Sequence, residues 1–242
     1  MRSLLLVRPD CERTADAALS AGADCLIFDL SGIAAGCVDA PAYEITRAAF
    51  DAARERSEPA SLHVRIGDLH NGAADACLDS VMALKPDGIV FAAENGAGIQ
   101  QLSIKLAVRE AEFGIDDGVT KILAMVPAAP AAIFHLGSFA DASARVAGLI
   151  FAREDLEQAL GTVSGTTPGA ALAAPIASAR HLMLFAAKAA KVPAIDAASP
   201  IATDEASLHR MCEVARSEGF SGKLAFDKNQ VAILNAAWAR GS

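Results

Sequence analysis

The sequence predicts an α/β protein that folds as a single (β/α)8 (TIM) barrel over residues 1–242. Short apolar runs alternate with longer helical segments along the whole chain, which is typical of parallel α/β folds. There are eight such runs, the strand count of a closed parallel barrel. A doubly wound open sheet would carry a glycine-rich turn after its first strand, whereas the segment at residues 8–13 (RPDCER) has no glycine.

Each predicted strand is a short, mostly apolar run. The sixth run, which ends in Arg153, Glu154 and Asp155, has no polar alternation and is typical of a strand buried on both faces. The predicted strands are residues 4–7, 23–30, 61–66, 86–92, 120–126, 146–151, 192–196 and 222–226. The predicted helices cover about residues 10–20, 41–56, 73–84, 98–111, 131–139, 170–190, 204–219 and 231–239, with Asp10 and Asp204 as N-caps.

Composition excludes several classes of protein. The formal net charge of −8 argues against a nucleic-acid surface. No uncharged apolar run reaches 18 residues, so we predict no membrane segment. The five cysteines are an odd number without CxxC spacing, which indicates reduced thiols and a cytoplasmic location.

The carboxyl ends of the predicted strands carry charged side chains. Such residues converge over one mouth in a parallel barrel, where barrel enzymes keep their chemistry. The candidates are Arg8, Asp29, Arg65, Glu94, Asp155, Asp196 and Asp227. For Asp196 and Asp227 the simpler interpretation is that each caps the helix that follows.

Arg65 stands out because a guanidinium inside an apolar strand needs a partner. That partner is either a neighbouring carboxylate or an anionic ligand, and the sequence leaves both open. The acids could also bind Mg²⁺ or Mn²⁺, which prefer oxygen ligands. The histidines do not form a ligand set, and spacing alone supports no Ser/His/Asp or Cys/His arrangement.

The chain resembles the citrate lyase β-chain group, within the larger family that includes the metal-dependent pyruvate aldolases. The segments that carry the resemblance run in order along nearly the whole length. They are residues 2–7 (RSLLLV), 20–30 (SAGADCLIFDL), 64–65 (VR), 85–90 (KPDGIV), 146–156 (VAGLIFAREDL), 192–196 (VPAID) and 219–225 (GFSGKLA). The resemblance implies a TIM barrel, a homo-oligomer, and carbon–carbon cleavage or condensation on acyl-CoA thioesters or 2-oxo acids, with Mg²⁺ polarising a carbonyl.

The resemblance assigns roles to only part of the site. Asp155 matches the family's metal-binding aspartate, and Arg65 matches the arginine that binds the substrate carboxylate. The family's second metal ligand, a glutamate after the fifth strand, is replaced by Pro127, which leaves Glu154 or Glu94 as substitutes. Three further departures fall at the predicted mouth: Ser31-Gly32 in place of Glu-Asp, Ala92-Ala93 before Glu94 in place of Lys-Val, and Asp227-Lys228 in place of His-Pro.

Two functions follow as hypotheses. The first is a citrate-lyase-β-like carbon–carbon lyase with an altered site, in which Arg65 and Asp196 bind substrate and Asp29, Glu94 or Asp227 transfers a proton. The second is a non-catalytic relative that binds a carboxylate or thioester ligand or serves as a partner subunit. An NAD or sugar-phosphate barrel, using the glycine-rich segment 161–169, is a third and weaker hypothesis.

Overall fold

The computed structural model describes residues 1–32, 40–56, 60–67, 72–162, 172–197 and 204–239. Eight strands pair in parallel in sequence order, and the last pairs with the first, which closes the barrel. The predicted (β/α)8 barrel is therefore confirmed. The strands are β1 (Ser3–Val7), β2 (Cys25–Asp29), β3 (Ser61–Ile66), β4 (Gly88–Ala92), β5 (Lys121–Val126), β6 (Val146–Phe151), β7 (Ala194–Ala197) and β8 (Gly222–Ala225).

The helices form the outer layer. They are α1 (Glu12–Leu19), α2 (Pro41–Arg54), α3 (Gly72–Ala83), α4 (Gly96–Phe113), α5 (Arg153–Leu160), α6 (Ala174–Ala189), α7 (Glu205–Glu218) and α8 (Lys228–Trp238). The Asp204 side chain caps α7 as predicted, accepting a hydrogen bond from the Ser207 amide. Asp10 was the wrong cap for α1, because the N-cap is Cys11 and the Asp10 carboxylate accepts from Thr14 instead.

Two connections differ from the prediction. The segment between β5 and β6 is a 3₁₀ helix, Pro130–Phe139, whose proline and glycine content disfavours a regular α-helix. Helix α5 begins directly after β6, so Arg153, Glu154 and Asp155 form its first turn rather than a loop. The glycine-rich segment lies mostly outside the described residues, since 163–171 are not among them.

Side chains that alternate along each strand belong to two separate apolar clusters. On β1, Leu4 and Leu6 belong to a small cluster inside the barrel, whereas Leu5 and Val7 belong to the large cluster under the helices. This parity identifies the face on which each strand side chain lies. Among the described residues, no helix is long and apolar enough to cross a membrane.

Candidate functional site at the carboxyl end of the barrel

Arg65 lies at the carboxyl end of β3, on the interior face, and its side chain is 13% exposed. Its guanidinium Nη2 donates to both carboxylate oxygens of Asp155, at 3.2 and 3.1 Å. The Nη1 atom donates to Asp29 Oδ2 at 3.4 Å. The sequence left open whether Arg65 pairs with a neighbouring carboxylate or with an anionic ligand. In the structure it pairs with two neighbouring carboxylates, those of Asp29 and Asp155.

Asp29 ends β2, directly across the ladder from Arg65. Its Oδ1 atom accepts hydrogen bonds from the Ser31 amide at 3.0 Å and from the Ser31 hydroxyl at 2.6 Å. The other oxygen faces Arg65. Ser31, which stands where the resemblance places an acid, therefore holds Asp29 in position against the guanidinium.

Asp155 and Glu154 lie in the first turn of α5, where the helix dipole stabilises negative charge. Burial raises the pKa of Glu154 and the neighbouring Asp155 adds to this, while Arg8 and Arg65 oppose it. A carboxyl group with a raised pKa at the mouth of a barrel is a candidate for proton transfer. Sequence reasoning considered Glu154 only as a metal ligand and did not connect it with Arg8.

The Nε–H donor of the Arg65 guanidinium is unused. Its Nε atom is buried and has no hydrogen-bond partner among the described residues. A buried, unpaired donor on a charged group is costly to leave unsatisfied, so this nitrogen favours an additional acceptor at the site. Arg65, Asp29, Asp155 and Glu154 together are the mouth cluster.

Two of the predicted site residues lie near the mouth but outside the mouth cluster. Glu94 follows β4, is exposed, and makes no ion pair or hydrogen bond with another described residue. Asp227 caps α8 in a capping box with Gln230, as the simpler interpretation predicted.

The predicted position of Asp196 at the mouth is wrong, because its side chain lies on the outer face of β7. Its neighbour Ile195 belongs to the interior cluster, so Asp196 points outward under the helices. It is 3% exposed and accepts hydrogen bonds from Arg180 at 2.8 and 3.1 Å and from the Lys223 ammonium. It neither caps a helix nor reaches the mouth, and the geometry does not support a substrate-binding role.

Similarity to known proteins identifies the family of this chain. The profile of the family described as HpcH/HpaI aldolase/citrate lyase matches residues 2–227. The chain belongs to the HpcH/HpaI aldolase/citrate lyase family. A curated relative, citrate lyase subunit beta of Leuconostoc mesenteroides subsp. cremoris, is 27% identical over 146 residues, which span 60% of this chain and 46% of the relative. The chain thus matches less than half the length of that relative.

Solved structures with the same fold include two bacterial members. The citrate lyase β subunit of Mycobacterium tuberculosis complexed with oxaloacetate and magnesium superposes with a TM-score of 0.76 at 21% identity, covering 99% of this chain and 97% of that one. RipC from Yersinia pestis superposes with a TM-score of 0.74 at 22% identity, covering 100% and 96%. At these identities the likeness shows the fold alone.

Magnesium, which is bound in the structure of the Mycobacterium tuberculosis protein, does not fit the side chains of the mouth cluster as they stand. Both oxygens of Asp155 face one guanidinium, and both oxygens of Asp29 are already hydrogen-bonded. The described part of the chain contains no group of three or more acids, histidines or cysteines arranged to hold a metal ion. Pro127, where the resemblance places a glutamate, supplies no side-chain oxygen. Mg²⁺ binds through near-octahedral oxygen ligands, so this donor set is too small.

Proposed function

We propose that this family member is a carbon–carbon lyase or aldolase with an altered active site, which acts on a carboxylate-bearing acyl-CoA thioester or a 2-oxo acid. The observation that carries the proposal is Arg65, which lies at the mouth with a buried Nε that has no partner among the described residues. A charged N–H donor of a guanidinium binds a carboxylate through a short, charge-assisted hydrogen bond, so the unused Nε–H can position a substrate carboxylate.

The mouth cluster suggests how the chain's own residues would take part. Asp29 and Asp155 hold the guanidinium in place, so they are positioning residues in this proposal. In carbon–carbon cleavage, a base takes the substrate's hydroxyl proton, the oxygen electron pair becomes a carbonyl, and the breaking bond leaves an enolate that is then protonated at carbon. Glu154, with its raised pKa, is the side chain best suited to move these protons.

The finer parts of the proposal come from the family resemblance. They are a CoA thioester as the ligand, assembly into a homo-oligomer and a cytoplasmic location. Structures of the Mycobacterium tuberculosis relative include complexes with magnesium and oxaloacetate, and with magnesium, acetoacetate and coenzyme A. Since the mouth cluster does not fit magnesium, we route no step of the reaction through a metal.

The pairing of Asp155 with Arg65 also supports a second function. A family member whose metal-binding aspartate is held by an arginine could bind a carboxylate or thioester without turnover, or serve as a partner subunit. The two functions share ligand binding and differ in whether bonds break.

A turnover assay separates the two functions. The purified protein is incubated with oxaloacetate or pyruvate plus an acyl-CoA thioester, with and without Mg²⁺, and products are measured by mass spectrometry. The lyase proposal expects a carbon–carbon bond to form or break in the wild type and expects Glu154→Gln to reduce the rate while ligand binding persists. Ligand binding without any product under all conditions would favour the non-catalytic function.

A further inference from the structure

A second polar site lies at the opposite, amino end of the barrel. A cleft of about 600 Å³ is lined there by the first residues of β3, the segment before β4, the start of β5 and the end of α2. Clefts of this size accommodate small metabolites. The amino end of such barrels is ordinarily associated with stability, and the proposed function does not use it.

His63 lies at this cleft and is 3% exposed. Its Nδ1 atom lies 3.2 Å from the thiol of Cys25 and 3.3 Å from the hydroxyl of Ser61. The space for the ring depends on Gly88, because a Cβ at that position would lie 2.5 Å from both Cδ2 and Nε2. Sequence reasoning set His63 aside, although its i, i+2 spacing from Arg65 places both on the interior face.

The neighbours of His63 include donors for one tautomer, the Cys25 thiol and the Ser61 hydroxyl, and an acceptor for the other, the Ser61 backbone. Burial raises the pKa of the Cys25 thiol, so its sulfur keeps its proton and acts as a donor, as the Ser61 hydroxyl can. Burial also lowers the pKa of His63 to about 4, so the ring is neutral at physiological pH. When Nδ1 accepts from Cys25 and Ser61, the proton resides on Nε2, which makes no hydrogen bond with another described residue. In this tautomer the cleft contains an unused N–H donor.

Cationic side chains surround this donor. Three cations, Arg54, Lys85 and Lys121, line the cleft with one acid, Asp87, whose carboxylate already accepts from the Leu62 amide at 2.7 Å. Arg54 is paired with Asp51, at 3.7 Å. The two lysines have no ion-pair partner among the described residues. The match is to a ligand of about two negative charges, which a phosphate monoester carries at neutral pH.

Lys85 is an exposed lysine of the cleft lining without a side-chain partner among the described residues. Its φ of 50° is in the left-handed region, where glycine is the ordinary residue after a helix. Its ammonium group makes no ion pair or hydrogen bond with another described residue. Its positive charge is therefore free to pair with an anionic ligand in the cleft.

We propose that this amino-end cleft binds a phosphate-bearing small molecule, with Lys85 and Lys121 neutralising the phosphate and His63 Nε2–H donating to it. Lys121 already donates to the Gly118 carbonyl at 2.7 Å and keeps two further protons. The site is independent of the mouth cluster, so the failure of one proposal leaves the other intact.

The test is a calorimetric titration at constant ionic strength with inorganic phosphate and with ribose 5-phosphate. The key variant is Lys85→Gly, which relieves the left-handed backbone and so keeps the fold while removing the charge. We expect it to weaken phosphate affinity by about tenfold or more, as for the loss of a charge-assisted hydrogen bond. The matched control is Lys191→Gly, since Lys191 is also an exposed lysine with positive φ (57°) after a helix, but lies outside the cleft.

The two ligands distinguish the source of the phosphate. Tighter binding of ribose 5-phosphate identifies an organic phosphate as the ligand, and equal binding identifies the phosphate group alone; both support the site. Failure of both ligands to bind the wild type overturns the proposal. Equal affinities in Lys85→Gly and Lys191→Gly, or loss of phosphate binding in Arg65→Ala, would also overturn it, since the anion would then bind elsewhere.

Discussion

Replacing Asp196 with asparagine should destabilise the protein strongly without affecting ligand binding. The carboxylate is 3% exposed and is shared by the Arg180 guanidinium and the Lys223 ammonium. In the variant, Arg180 keeps its ion pair with Glu218 at 2.6 Å and its guanidinium stays 4.4 Å from the centre of the Phe220 ring. Lys223 has no other ion-pair partner among the described residues. Since the Lys223 side chain is 1% exposed, Asp196→Asn leaves a buried charge uncompensated, which costs about 3–5 kcal/mol.

The same network predicts a pH dependence. Burial alone would raise the pKa of Asp196, but Lys223 and Arg180 outweigh it and hold the pKa below its ordinary value of 3.8. A carboxylate with a depressed folded-state pKa stabilises the protein above its unfolded-state pKa, and this stabilisation is lost as the pH falls through the folded-state value. The difference in the free energy of unfolding between the wild type and Asp196→Asn should therefore be constant near neutral pH and shrink below about pH 4.

Urea unfolding followed by circular dichroism at pH 7 and in acid measures both effects. The matched control is Asp51→Asn, which removes an acid that is 63% exposed and paired with Arg47 and Arg54 at the surface. Exposed pairs contribute about 1 kcal/mol or less. If Asp196→Asn cost no more than this control, or removed carboxylate binding, the outward placement of Asp196 would be refuted.

Three further substitutions test other parts of the account. Gly88→Ala should destabilise the protein by about 1–3 kcal/mol in thermal melts, because the new methyl group overlaps His63. Asp227→Ala should cost about 1 kcal/mol through loss of the capping box and leave carboxylate affinity unchanged in calorimetry. Ala128→Glu should raise Mg²⁺ affinity in calorimetry, because Ala128 packs on the interior cluster next to Pro127 and the new carboxylate adds an anionic ligand at the mouth.

Each of these substitutions has a matched control. Gly137→Ala adds a methyl group with nothing within 4 Å and should be close to neutral. Asp227→Asn keeps a good capping side chain and should retain most of the stability. Ala129→Glu adds the same charge one residue further along the chain, and a magnesium affinity equal to that of Ala128→Glu would show a non-specific effect of charge.

The sequence predicts the barrel well because its signal repeats eight times. Each strand is a buried apolar run, and an error at one boundary, such as the start of α6, does not change the topology. The 3₁₀ helix was missed because a short apolar segment with proline and glycine does not reveal its hydrogen-bond pattern. The limits of a single domain, residues 1–242, stay a prediction.

The candidate site was harder to predict because it depends on which face of a strand a residue occupies. Asp29 and Arg65 were placed together, since both end neighbouring strands and pair across the ladder. Asp196 was misplaced because a strand of four residues, Ala194–Ala197, is too short to show the alternation from which its outward orientation could be read. His63 was overlooked because its partners, Cys25 and Ser61, come together only through the register of β2 and β3.

The most direct test of the central claim is the affinity of oxaloacetate for the wild type and for Arg65→Ala, measured by titration calorimetry with unfolding measured in parallel. Asp29 keeps its Ser31 hydrogen bonds and Asp155 is 29% exposed, so we expect the variant to lose only about 1–3 kcal/mol of stability and to remain folded. Arg65→Lys keeps the charge without the Nε–H donor and should give an intermediate affinity. If Arg65 binds the substrate carboxylate, oxaloacetate affinity falls by about 10- to 100-fold in Arg65→Ala. Unchanged affinity in a folded Arg65→Ala protein would contradict the account.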